Sequence, residues 1–97
     1  MTRIELAPEI LEDIDRFIDH LALHEVVDAA ERVQEVLEAI QILSLSPLIG
    51  RPFRDGKREL VIGKGSRGYV ALYRYLVAID TVFVLALRAQ RESGFKH

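Results

Sequence analysis

Hydrophobic and polar positions change period midway along the chain. Arg3–Ile4–Glu5–Leu6 alternates polar and apolar, which predicts a short strand that joins a sheet formed later. Pro8 suits the first turn of a helix, where its missing N–H costs nothing, but Ala7 is a poor cap, so packing must hold that start. Ile10, Leu11, Ile14, Phe17, Ile18 and Leu21 recur at three- and four-residue spacing, and Glu12, Asp13, Asp15, Arg16 and Asp19 fill the other face of an amphipathic helix. After a break near His24–Val27, Asp28 is placed at the start of a second helix, where negative charge is favoured. Its stripe is Ala30, Val33, Leu37, Ile40 and Leu43 or Ser44, widened by Val36 and Ile42, and Ser46–Pro47 should end it. The short connection predicts an antiparallel αα-hairpin.

From there the period becomes two. Gly50–Arg51–Pro52 and Asp55–Gly56 read as loop punctuation. Three strands are predicted: Glu59 to Gly63, Tyr69 to Val77 and Val82 to Arg88. They are separated by a glycine-rich turn over 63–68 and a tight turn at Asp80–Thr81, which makes them an antiparallel meander. Val82, Val84 and Ala86 alternate with Phe83, Leu85 and Leu87, so the last strand is apolar on both faces and should lie inside the sheet, under the helices. The tail from Ala89 to His97 returns to polar residues. The expected fold is α+β: an N-terminal strand and an antiparallel αα-hairpin, packed on a small, mainly antiparallel sheet with a C-terminal three-stranded meander. No linker or repeat divides residues 1–97, so one domain is expected.

Charge changes this picture more than composition does. Residues 1–50 carry 11 acids against 3 bases, a net −8, and residues 51–97 carry 10 bases against 4 acids, a net +6. Such polarity points to a basic face that meets an anionic partner, or to two halves that neutralise each other across the fold. Cysteine is absent, which excludes a disulfide framework and a thiol nucleophile and fits a reducing compartment. Apolar runs such as Val82 to Leu87 fall far short of the roughly 20 residues that span a bilayer, and the polar start is unlike a signal peptide. A soluble, cytoplasmic protein without membrane contact is expected. His20 and His24 have i,i+4 spacing, but nothing beside them supports zinc, so a solvated helix edge is favoured. Gly63, Gly65 and Gly68 fit a GxGxxG string that precedes a strand, not a helix, so the phosphate-cradling geometry fails. No metal and no cofactor is expected.

The order of these elements resembles the RelE/ParE superfamily of type II toxin–antitoxin toxins. The resemblance rests on Gly50–Arg51–Pro52, on Arg67–Gly68–Tyr69–Val70–Ala71–Leu72–Tyr73–Arg74, and on Thr81–Val82–Phe83–Val84–Leu85 leading into Arg88–Ala89–Gln90–Arg91–Glu92–Ser93–Gly94–Phe95. It covers nearly the whole chain. It implies an antitoxin partner, a toxin–antitoxin hetero-oligomer, and one of two activities. RelE-like relatives are ribosome-dependent endoribonucleases that cut mRNA; ParE-like relatives bind DNA gyrase and block replication.

Cleavage at a 2′-hydroxyl needs a base, an acid and cations for the phosphate. Arg67, Arg74, Arg88 and Arg91 could supply the cations. The position where RelE-like relatives often carry histidine is Ala89, and the late aromatic, often tyrosine, is Phe95, which has no hydroxyl. Glu59 and Glu92 remain as candidate bases. A pI near 5.9 is also low for a protein that must sit among ribosomal RNA. The ParE-like branch is therefore preferred, with Arg67, Arg74, Arg88, Arg91 and Phe95 as target-binding residues. The alternatives are a RelE-like mRNA endoribonuclease, with the same four arginines as its catalytic cations, and a degenerate toxin that only binds antitoxin. Arg88 and Arg91 could instead pair with Glu92 or helix acids, and Arg74 could simply snorkel from mid-strand. Tyr69, Tyr73 and Tyr75 read as packing residues rather than base-stacking platforms.

Overall fold

The computed structural model describes residues 1–23, 29–63, 68–90 and 94–95. Strand β1 (Arg3–Leu6) leads into helix α1 (Pro8–Leu23), and helix α2 (Ala29–Gln41) follows. Strands β2 (Arg51–Pro52), β3 (Arg58–Ile62), β4 (Tyr69–Leu76) and β5 (Thr81–Ala89) complete one five-stranded sheet in the order β1-β5-β4-β3-β2. β1 runs parallel to β5, with Ile4 opposite Val82 and Leu6 opposite Val84, and every other pair is antiparallel. The α+β architecture expected from the periodicity is present, with β5 in the interior of the sheet.

The helices lie on one face of the sheet. Ile10 from α1 and Val36 and Ile40 from α2 pack against Tyr69, Ala71 and Tyr73 of β4 and Val82, Val84 and Leu87 of β5. Each such buried aliphatic side chain contributes about 1.5–3 kcal/mol relative to an exposed one. The apolar stripe on α1 is narrower than its sequence suggests. Leu11 and Ile18 are exposed, whereas Asp13, which the periodicity puts on the polar face, is 1% exposed. Its Oδ2 accepts the Leu87 backbone N–H at 3.0 Å and its Oδ1 accepts Arg16 at 2.9 Å. The reason lies at the sheet edge. β1 stops opposite Val84, and its continuation gives one more bond, Ala7 N–H to Val84 C=O at 2.9 Å. Beyond that point the Leu87 N–H has no strand beside it on that side, and the helix supplies a carboxylate instead.

Other expectations need correction. Gly50–Arg51–Pro52 is not wholly loop, because Arg51 and Pro52 pair with Glu59 and Arg58 as a two-residue edge strand. Proline is tolerated there because an edge strand needs no donor on its outer side. The second α-helix ends at Gln41 and tightens into a single 3₁₀ turn over Ile42–Ser44, several residues before Ser46–Pro47. Ala30 and Ile42 are exposed, so the stripe on α2 is carried by Val36 and Ile40, with Val33 and Leu37 half-buried. Strict alternation also fails in β5. Leu72 lies opposite Ala86 but Tyr73 lies opposite Val84, so Leu85 is passed over. This irregularity turns Leu87 towards the helices and Ala86 away from them, in place of the regular alternation from Val84 through Ala86. His24, Asp28 and most of the glycine-rich turn lie outside the described residues.

One end of the sheet is tied by Asp80, which sits at φ 46°. Its Oδ1 accepts both the Tyr75 hydroxyl and the Thr2 hydroxyl at 2.7 Å, and its carbonyl accepts the Arg3 N–H at 3.1 Å. The Tyr75 hydrogen bond, then that of Thr2, holds the Asp80 carboxyl below the usual carboxylate range, and the same Asp80 bond pushes the Tyr75 hydroxyl up. A carboxyl with a lowered folded pKa stabilises above its unfolded pKa, and that contribution disappears as pH falls through the folded value. Asp80→Asn is therefore expected to flatten the acid limb of stability below about pH 4. Urea unfolding from pH 7 down to 3 checks this; an unchanged acid limb would count against the assignment.

Candidate target-binding face

The face of the sheet away from the helices carries the arginines. The register puts Glu59, Leu72 and Ala86 in one row, Val61, Val70 and Arg88 in the next, and Arg74 opposite Phe83. Arg88 belongs to this face because of the irregularity at Leu85; in a regular strand it would share the side of Val82 and Val84. Arg51 joins from β2, directly opposite Glu59.

Glu59 organises the row. It is buried, and its two oxygens meet arginines from two different strands: Oε1 takes Arg51 Nε at 2.9 Å, and Oε2 lies 3.6 Å from an Arg88 terminal nitrogen. A buried carboxylate of this kind must be paired, and here each arginine is in turn fixed by it. Arg88 thus meets an acid on the sheet, Glu59. Arg88 also donates to the carbonyls of Ala89 at 3.1 Å and Gln90 at 3.4 Å, and the Phe95 ring lies over its guanidinium at 5.0 Å. Phe53 meets Phe95 edge-on at 6.3 Å, and Arg54 stacks on Phe53 at 5.1 Å. Arg74 reaches the turn after β2 and donates to the Asp55 carbonyl at 2.8 Å.

Beneath this face, the entry to β2 is held from the core side. The Gly50 N–H donates to the Tyr73 hydroxyl at 2.8 Å, and Arg58 donates to the Gly50 and Leu48 carbonyls at 2.8 and 3.3 Å. Burial pushes the Tyr73 hydroxyl above the usual tyrosine range, opposed by the Gly50 N–H and the Arg58 charge. It is therefore neutral at physiological pH and serves as an acceptor inside the core. Tyr69 packs on Phe17 with ring centroids 4.5 Å apart, and Tyr75 bonds Asp80, so all three tyrosines are architectural.

Of the residues that the sequence singles out, Arg74, Arg88 and Phe95 come to one face of the sheet. Arg67 and Arg91, with Glu92, lie outside the described residues. Arg88 is less available than its place in a basic tail suggests, since its side chain is only 14% exposed. Glu59 has both oxygens engaged by arginines from neighbouring strands. Sequence reasoning missed the parts played by Arg51, Phe53 and Arg54. The available signal was the alternation in β3, which puts the lone carboxylate of Glu59 on the face opposite Leu60 and Ile62. Among the described residues this face bears neither histidine nor tyrosine. It can hold anions and apolar groups.

The sequence profile of a family described as the ParE toxin of the type II toxin–antitoxin system parDE matches residues 4–94. Two solved structures are similar in fold. A chromosomal ParDE toxin–antitoxin system from P. aeruginosa superposes with a TM-score of 0.74 at 22% identity, over 92% of this chain and 96% of that one. The toxin–antitoxin complex RelBE2 from Mycobacterium tuberculosis gives a TM-score of 0.55 at 20% identity, over 92% of this chain and 98% of that one. No curated protein is a significant match. Among the described residues no helix is long and apolar enough to cross a membrane.

Proposed function

Because the chain belongs to the ParE toxin family of type II toxin–antitoxin systems, we propose that it inhibits DNA gyrase by binding it, and so blocks replication, from within the cytoplasm. The observation that carries this reading is the arginine face itself. Its cations are fixed by a buried carboxylate and by an aromatic ring, and its described side chains include neither histidine nor tyrosine to serve as the acid in phosphodiester cleavage. Residues 1–97 act in this reading as one domain. The partner that silences it is an antitoxin, as the two similar structures are both toxin–antitoxin systems. An amphipathic segment of that antitoxin suits the exposed Leu11 and Ile18 on α1 and the apolar crevice lined by Ile14, Phe17, Val33, Leu37 and Leu87.

Supercoiling and cleavage-complex assays with purified gyrase, run beside mRNA cleavage on translating ribosomes, test the proposal. Inhibition of gyrase with intact mRNA is expected; cut mRNA with normal gyrase would replace this reading by the endoribonuclease one. Arg74→Ala is expected to weaken gyrase inhibition about tenfold, roughly 1.4 kcal/mol, with antitoxin affinity unchanged. Arg88→Ala is a poorer probe, because it strips a buried carboxylate of one partner and is expected to cost about 1–3 kcal/mol of stability as well.

A further inference from the structure

We propose that the β2–β3 hairpin extends the arginine face into a binding site for an acidic protein segment, with Arg51 and Arg54 as contact residues and Glu59 as the positioning residue for Arg51. The inference rests on the reading of this face as the one that meets the target.

Three observations carry it. Arg51 uses its side-on Nε–H for Glu59 while its side chain stays 58% exposed, which leaves the terminal N–H groups for a partner's carboxylate. Glu59 holds that guanidinium in one orientation, so less side-chain freedom is lost when a ligand arrives. Arg54, exposed and stacked on Phe53, and Arg74, which reaches the Asp55 carbonyl, bring two further cations to the same hairpin. Asp55 is the one exposed acid among residues 51–63.

The surroundings decide the class of partner. Half-buried Phe53 and exposed Val61 and Leu76 are interleaved with these cations. A phosphate backbone would set charge against those apolar groups, whereas a peptide with a few carboxylates among apolar side chains matches both. The acidic helical half, net −8 over residues 1–50, also opposes a long polyanion but not a short segment.

Fluorescence anisotropy with a labelled decaglutamate peptide and a labelled RNA decamer tests the site on the full chain. The peptide is expected to bind more tightly than the RNA and to weaken as salt rises to about 150 mM, where screening is strong. Arg51→Ala with Arg54→Ala should weaken peptide binding at least tenfold, whereas Arg3→Ala, a loss of positive charge at the opposite edge of the sheet, should leave it unaltered. Glu59→Gln should weaken it severalfold in the native chain and not at all once Arg51 is alanine, a dependence that a general loss of stability would not produce. Tighter binding of the RNA, no binding of the peptide, or unchanged binding by the double arginine variant would each overturn the site. Gyrase inhibition by the unaltered chain is scored separately, so that a failed site and a failed reading give different results.

Discussion

Asp13→Ala is expected to lower the unfolding free energy by about 3 kcal/mol. The carboxylate is buried between α1 and β5 and accepts the Leu87 N–H at 3.0 Å. Hydrogen bonds to charged groups contribute about 1.5–3 kcal/mol, and an unsatisfied buried N–H adds about 1–3 kcal/mol of its own. Alanine removes the acceptor and leaves the donor in a dry site, with Arg16 deprived of a partner at 2.9 Å. Asn keeps an acceptor and is expected to cost about half as much. For a chain of this size the alanine variant should melt roughly 12 °C or more below the native protein. Calorimetry of the two variants checks the order; equal melting points for Ala and Asn would mean that the Leu87 bond contributes nothing.

Gly50→Ala is expected to destabilise by about 2–3 kcal/mol and to disturb the binding face along with the core. A Cβ at Gly50 would lie 2.6 Å from both the Cε1 and the hydroxyl oxygen of Tyr73, and 2.8 Å from the Glu59 carbonyl oxygen. The Tyr73 ring is fully buried and the Glu59 carbonyl is backbone, so neither gives way cheaply. Any shift of Glu59 moves both arginines that it holds. Tyr73→Phe alone is expected to cost about 1 kcal/mol, because the Gly50 N–H loses its acceptor. Combined with Gly50→Ala, it should cost less than the sum of the two, since it removes part of the clash. Urea unfolding of the two single variants and the pair measures this coupling; strict additivity would show that Gly50 and Tyr73 do not sense each other.

The periodic elements were legible in the sequence because their signal repeats. Ile10, Ile14, Phe17 and Leu21 mark α1 over several turns, and the apolar runs in β4 and β5 are too long and too rich in β-branched and aromatic residues for anything but interior strands. What escaped depends on single residues whose partners are remote. Asp13 lies three residues after Ile10 and one before Ile14, close enough to the stripe to be drawn inward. Only the early end of β1 explains why a carboxylate belongs there. The passed-over Leu85 is invisible in a run that is apolar on both sides. It decides which face Arg88 occupies, and so whether that arginine can meet Glu59 at all. The edge strand at Arg51–Pro52 is too short to show any period. The candidate face was thus half legible: Arg74, Arg88 and Phe95 could be named, and Glu59 as a candidate base, but the pairing of Glu59 with Arg51 and Arg88 and the hairpin that extends the face could not.

The parallel pairing of β1 with β5 has a consequence for the order of events during synthesis. Thr2 is joined to Asp80 across 78 positions, and Asp13 to Leu87 across 74. While the ribosome is still making β4, β1 has no neighbour, the Asp13 carboxylate has no amide to accept and Glu59 lacks one of its arginines. Local helix formation can begin early, but the sheet closes only when β5 emerges, and contacts between such distant positions form slowly. A nascent or truncated chain that stops short of β5 therefore has no assembled arginine face, and that face forms only once β5 has been made.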